Sequence, residues 1–424
     1  MGRGTHRCAA ALGLLAAIAP GAATEKAAKW MVVHTWPWTQ CADASAVVLE
    51  QGGSAMDALV AGLSVAELDL SVDSVGFGAH PDSSGEPTLD AAVMDGKTAR
   101  IGAVGGLRSV KHAAHVARLV LEHTRHTLLV GAFATNFAVS FGGLPQESLR
   151  TNASDVSWES WRSGGCQPNY WASVTPDPLL DGCGPFLPLP VDEEQAAAAR
   201  PTLSPENHDT ISMAVLDGVG NIVSGTSTNG LAFKIAGRVG DAAVPGSGNY
   251  ARNDIGACGA TGDGDVLMRF LPCYQALESL RLGWSPVDAA EDALRRIAAV
   301  DDSFQGALFV VTADGRHAGA SHNWVFQYVV RSASEPAAAI YTVHPRGPDF
   351  VPRGPDHCRQ ADAASTHKMY LAFATLGSVV TYLLGAVLQQ TGVAPRAPAA
   401  DMAHTHHEDQ ASPETVQQLY TSTT

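Results

Sequence analysis

Asn207-His208-Asp209-Thr210-Ile211 is the stretch on which the reading turns. From Thr210 the pattern becomes period two. Residues 210–216 and 222–228 read as strands, and Asp217-Gly218-Val219-Gly220-Asn221 is a turn-rich join that predicts a β-hairpin. Before it, residues 188–207 are polar and proline-rich and read as an exposed loop, of a length that compact domains rarely carry without a functional reason. A threonine that opens a strand is chemically ordinary while its nitrogen is an amide. If the Asp209–Thr210 bond is cut, Thr210 gains an α-amine, of ordinary pKa about 8, which can take the proton of its own hydroxyl. One residue then holds both nucleophile and base. Taken alone, a His-Asp-Thr junction is more often a plain loop-to-strand join.

The neighbouring segments add chemistry. Gly225-Thr226-Ser227-Thr228-Asn229-Gly230 ends the second strand, which places the Thr228 hydroxyl beside Thr210. Gly237-Arg238-Val239-Gly240-Asp241 sets a cation and a carboxylate three apart. That pair suits the carboxylate and ammonium of an amino acid, or forms a local salt bridge. Thr261-Gly262-Asp263-Gly264-Asp265 offers a hydroxyl and bare backbone N–H groups for an oxyanion hole. The same segment also reads as a turn or, through its two aspartates, a calcium loop, although it lacks the glycine and terminal glutamate of an EF-hand. Upstream, a β-branched strand over 30–35 ends at Trp36-Pro37-Trp38, delivering an aromatic pair into a loop.

The remaining chain sets bounds. With 27 Lys+Arg against 42 Asp+Glu the net charge is −15, which argues against nucleic acid as a partner. Apolar residues make up 46% and charged ones 16%, so a sizeable core can be buried. Residues 30 to about 343 form one even block. Apolar spacing predicts helices over 42–68, broken at Gly52-Gly53, over 109–123, and over 267–282 with a kink or fresh start at Pro272; 307–312 and 324–331 read as strands. This order suggests stacked layers of mixed α and β content.

The ends differ from this block. Residues 1–23, with Arg3 and Arg7 before an apolar run and a small-residue exit, read as a secretory signal peptide, which places the cysteines where they can pair. Residues 346–368 read as a linker, 369–391 as a transmembrane helix, and 392–424 as a disordered polar tail. A buried core helix is the alternative for 369–391, because alanine and glycine dilute its hydrophobicity. Asn152-Ala153-Ser154 is an N-glycosylation sequon. His404, His406 and His407 read as part of the solvated tail, and Cys258 as a buried thiol.

Trp30–Trp38, Asp73-Ser74-Val75-Gly76-Phe77-Gly78, His123–Gly131, Cys166-Gln167-Pro168-Asn169-Tyr170-Trp171 and the segments above resemble the glycosylasparaginase (aspartylglucosaminidase) family of N-terminal nucleophile hydrolases. The resemblance runs from about residue 30 to 335. It implies an α/β (α+β type) fold, a four-layer αββα sandwich, made as a precursor that cuts itself between Asp209 and Thr210, with His208 beside the bond. Residues 24–209 would be the α chain and 210–345 the β chain, associated and paired into a dimer of αβ units. The implied substrate is a glycoasparagine, or more slowly asparagine, in a lysosomal or similar acidic lumen; the signal peptide would make the catalytic domain luminal, and the apolar span, which goes beyond the family pattern, would anchor the chain in the membrane. Thr210 would be the nucleophile and Thr228 its hydrogen-bonding partner. Arg238 would hold the α-carboxylate and Asp241 the α-ammonium. Thr261 and Gly262 would form the oxyanion hole, Ser74 would sit close to the nucleophile, and Trp36 would wall the pocket. Cys166–Cys183 is the implied disulfide. No cofactor and no metal are implied.

Three departures bear on activity. Ser212 stands where the family has glycine and is expected to crowd the pocket. Asp73 adds a negative charge beside Ser74, and Asn207 replaces a glycine before His208, where self-cleavage uses backbone strain. The leading reading is an amidohydrolase of the glycosylasparagine bond. An asparaginase or isoaspartyl peptidase of the same superfamily is the alternative within the class. A membrane-bound luminal binding protein that has lost processing is the alternative outside it.

Overall fold

The computed structural model describes residues 30–190, 210–347 and 351–354. The signal peptide (1–23), most of the long loop with His208 and Asp209, most of the linker, the apolar segment 369–391 and the polar tail lie outside these residues. Among the described residues no helix is long and apolar enough to cross a membrane.

The first half of the fold contains β1 (Met31–Thr35), α1 (Thr39–Glu50), α2 (Ala55–Leu68), β2 (Leu89–Asp95), β3 (Arg100–Leu107) and α3 (Ala113–His123). It continues with β4 (Leu128–Val130), α4 (Gly131–Ser140), α5 (Asn152–Ser163), β5 (Val174–Thr175) and β6 (Leu187–Pro188). The second half opens with the hairpin β7 (Ile211–Leu216) and β8 (Ile222–Thr228), then β9 (Asn249–Arg252) and β10 (Gly256–Gly262). Helices α6 (Gly264–Phe270), α7 (Pro272–Arg281) and α8 (Pro286–Ala298) precede β11 (Gly306–Thr312), β12 (His317–His322), β13 (Phe326–Ser332) and β14 (Ala339–Val343).

Two sheets organise these elements. One has the order β14-β13-β1-β7-β8-β2-β3-β4 and the other β12-β11-β10-β9. They face each other across a core of Val33, Ala214, Leu216, Phe309, Val311 and Phe326. Helices α1 to α3 cover the outer face of the large sheet through Leu59, Leu63, Val116, Val120, Ile211 and Met213. On the far side α6 to α8 cover the small sheet through Leu267, Leu277, Leu294, Ile297, Leu308 and Val310. The order of layers is therefore helix, sheet, sheet, helix.

Strand β7 shows why the predicted hairpin is central. All six of its residues are buried. Ile211, Met213 and Val215 pack under the helices, while Ala214 and Leu216 enter the space between the sheets. Strand alternation then puts Thr210 and Ser212 on the inter-sheet face. Local signals set the helix ends. Ser54 and Asp57 form a capping box at α2, and Ser285 caps α8 with Pro286 at its first position. The expected helix over 267–282 is two helices. Leu271 sits between them at φ 51°, and Pro272 starts α7 at the position where its missing N–H costs nothing.

Cys166 and Cys183 are joined, as the resemblance implies. Cys258 corrects the sequence reading: it is disulfide-bonded to Cys273. The reason is tertiary, since α7 folds back over β10 and brings the start of the helix onto the strand. Closing a loop with a sequence separation of 15 stabilises the fold by about 3 kcal/mol in the chain-entropy picture. Cys41 is the free buried cysteine among the described residues, and burial pushes its thiol up to about 12. Asn152 is exposed at the first position of α5, while Ser154 of its sequon is engaged in the helix cap with Thr151.

Candidate active site

Thr210 lies at the mouth of the inter-sheet space, 5% exposed, just before β7. Its nitrogen is 3.2 Å from Thr261 Oγ1. Its carbonyl accepts hydrogen bonds from Thr35 Oγ1 at 2.7 Å and Trp36 Nε1 at 3.2 Å. Thr35 Oγ1 also accepts the Ser212 N–H at 3.0 Å, so the end of β1 clamps the start of β7. Trp36 holds this position at φ 71°, a conformation that costs a bulky residue about 1–3 kcal/mol. The bond from its N–H to the Gln327 carbonyl, 2.9 Å, and the stacked ring of Trp38 help to fix it there. Trp36 therefore grips the peptide group of Thr210 itself.

The hairpin register pairs Ile211 with Ser227, which sets Thr210 opposite Thr228. Thr228 Oγ1 accepts the Gly230 N–H at 2.9 Å. The Asn229 N–H donates to the Ser74 carbonyl at 2.8 Å, which brings the Ser74 loop against the end of β8. Ser74 Oγ is buried and has no hydrogen-bond partner among the described residues. On the opposite sheet, Gly262 ends β10 at φ 132°, and a Cβ there would come within 2.5 Å of Gly306 Cα. Only glycine fits that backbone.

Arg238 and Asp241 are arranged differently from what their sequence spacing suggests. Arg238 does not bond Asp241. Its Nε and Nη2 reach the Asp265 carboxylate at 3.1–3.3 Å, forming a fork. Asp241 is buried, and its Oδ2 has no partner among the described residues. Burial pushes its carboxyl up to about 7, against the opposing pull of Arg238. The two meet at Gly264, where a Cβ would lie 2.5 Å from Asp241 Oδ1 and 3.0 Å from Arg238 Nη2. The segment 261–265, the cation and the carboxylate thus converge. Asp263 accepts the N–H groups of Asp265 and Val266, making it a helix cap.

Two of the departures have structural answers. Ser212 turns its hydroxyl into the space between the sheets, within hydrogen-bond distance of the Ala260 carbonyl at 2.6 Å and the Gly248 carbonyl at 3.2 Å. It stitches β7 to the small sheet. Asp73 is 67% exposed at its side chain and pairs with His80 Nε2 at 3.5 Å, which holds its carboxyl below the usual range. Asn207 lies outside the described residues. Sequence reading missed Thr35, which meets Thr210 and Ser212, and Asp90, which accepts the N–H groups of Gly106 and Gly240; neither carries a local motif, and Asp265 was read only as part of a turn or calcium loop.

A threonine opening a central strand, facing a hydroxyl from a second sheet and flanked by a cation and a free carboxylate, is the arrangement of an N-terminal nucleophile hydrolase. The chain belongs to the asparaginase family, whose model matches residues 14–337. A rat protein named N(4)-(Beta-N-acetylglucosaminyl)-L-asparaginase is 48% identical over 290 residues, covering 68% of this chain and 83% of the relative. An Arabidopsis thaliana protein named "Probable isoaspartyl peptidase/L-asparaginase 3" is 43% identical over 329 residues, covering 74% of this chain and 90% of the relative.

Proposed function

We propose that this protein is a self-activating amidohydrolase that cleaves the amide between N-acetylglucosamine and the asparagine side chain. The observation that carries the reading is the Thr210 nitrogen beside the Thr261 hydroxyl, opposite Thr228 and next to the Arg238–Asp241 pair. Scission of the Asp209–Thr210 bond frees the Thr210 amine. The amine takes the Oγ proton, and Oγ attacks the side-chain carbonyl of the substrate. Thr261 Oγ1 and the Gly262 N–H stabilise the oxyanion, and the protonated amine returns its proton to the leaving nitrogen. A β-aspartyl ester remains on Thr210, and water hydrolyses it to aspartate. Arg238 binds the α-carboxylate of the substrate and Asp241 its α-ammonium. The leader read over 1–23 and the apolar segment 369–391 support a luminal, membrane-tethered protein, and the family resemblance supports associated α and β chains, two αβ units to a dimer.

The likeness to the Arabidopsis thaliana protein favours one second reading, hydrolysis of β-aspartyl peptides or free asparagine. Turnover of GlcNAc-Asn and of a β-aspartyl dipeptide by the cleaved protein decides between them. A higher kcat/KM on GlcNAc-Asn is expected, and its absence with rapid dipeptide turnover rejects the first reading.

The raised pKa of Asp241 gives a pH signature. The ionised carboxylate binds the ammonium, and below pH about 7 the free protein loses that form about tenfold per unit. The Thr210 amine also loses its neutral form on acidification, so a single profile mixes the two. The ratio of kcat/KM for GlcNAc-Asn to that for its des-amino analogue isolates Asp241. This ratio is expected to fall with acidification below about 7. In Asp241→Asn it is expected to be flat.

A further inference from the structure

Asp90 is completely buried on β2, directly across the sheet from Thr228. Its two oxygens serve two separate segments. Oδ1 accepts the Gly106 N–H at 2.7 Å, and Oδ2 accepts the Gly240 N–H at 3.1 Å. Gly240 lies between Arg238 and Asp241, and a Cβ on it would come within 2.6 Å of Arg238 Nη1. The carboxylate therefore grips the recognition turn where its backbone passes under the guanidinium.

A second buried charge accompanies it. Lys234 is 1% exposed, and its Nζ donates to the Thr88 carbonyl, two residues before Asp90, at 3.4 Å. A Cβ on Gly230 would lie 2.9 Å from Arg238 Nη1 and 3.1 Å from Lys234 Nζ, so two cations flank the end of the Thr228 segment. Burial lowers the pKa of the Lys234 ammonium, and Asp90 is the strongest influence opposing that shift. A buried cation with no nearby anion would be costly, and Asp90 offsets it.

We propose that Asp90 is the positioning residue of the recognition turn: its carboxylate holds Arg238 and Asp241 at the level of Thr228, with Lys234 as its buried counter-charge. This rests on the reading of Arg238 and Asp241 as receptors of the α-carboxylate and α-ammonium. An amide at position 90 accepts a backbone N–H on one side only. Its NH2 then faces the other N–H, and either the turn at Gly240 or the backbone at Gly106 is released. Binding of the amino-acid head weakens, while Thr210, held from β1, keeps its place.

The test uses the full chain after self-cleavage and compares wild type with Asp90→Asn. The Kd for L-aspartate, by calorimetry, and the KM for the asparagine substrate are expected to rise about tenfold or more, with kcat within about threefold. The des-amino analogue, which does not use Asp241, is expected to lose less. Asp90→Asn leaves Lys234 buried without its partner, so Asp90→Asn/Lys234→Met repeats the measurement without a lone charge. The same loss of affinity is expected there, with the melting temperature recovering towards wild type. Unchanged Kd and KM, or a fall in kcat equal for both substrates, overturns the proposal. Wild-type protein that binds L-aspartate but turns over no amide refutes the function while the affinity comparison still decides the role of Asp90. Wild-type protein that does not bind L-aspartate overturns both.

Discussion

Thr210→Ala is expected to remain a single uncut chain with turnover reduced by about 10⁴-fold or more, the scale on which loss of a nucleophile operates. Both failures have one cause. In the proposed mechanism, the hydroxyl that attacks the Asp209 carbonyl during maturation is the hydroxyl that later attacks the substrate. Thr210→Ser keeps an oxygen at the same place without the methyl group, and is expected to retain part of both reactions. Gel analysis shows the cleavage, and N-terminal sequencing of the fragments shows whether a chain begins with Thr210. If Thr210→Ala matched wild type in every assay of biological role, the non-catalytic binding protein would be the correct account. The site speaks against that alternative. Thr210 is held through its carbonyl by Thr35 and Trp36, while its nitrogen meets the Thr261 hydroxyl.

Thr261→Ala is expected to lower kcat by about 10²–10³-fold with a much smaller change in KM, as removal of one oxyanion donor does. Thr261 Oγ1 belongs to β10 of the small sheet, and Thr210 to the large one, so this contact joins the layers at the reacting atoms. Its disulfide to α7 and the pairing of Gly262 with Gly306 hold β10 rigidly. The hydroxyl therefore reaches the developing charge without reorganising. Steady-state kinetics on cleaved protein provide the check. A rise in KM at constant kcat would instead place Thr261 among the groups that bind the ground state.

Much of this was legible along the chain. The hairpin, the break at Gly52-Gly53 and the restart at Pro272 follow from period, glycine and proline, and the structure has them within a few residues. The Thr228 placement was legible too, because a hairpin is a local object whose register its turn sets. The salt-bridge partner of Arg238 was not. Spacing pointed to Asp241, three residues on, but the turn carries the guanidinium to Asp265 and leaves Asp241 buried with a free oxygen. The contacts of Ser212 were not legible for a related reason. Its position beside the nucleophile was clear, but the direction of its hydroxyl depends on where β10 packs.

The sequence by itself determined the candidate nucleophile, the strand pair that carries it and the set of polar groups available to it. Those properties reside in residue identity and in short-range periodicity. The tertiary structure alone decided which groups meet: Thr35 and Trp36 on the carbonyl of Thr210, Asp90 on the recognition turn, Cys258 on Cys273. These contacts join segments far apart in the chain, and their energies come from burial between two sheets. No local pattern encodes a distance that exists only once both sheets have closed on the same core.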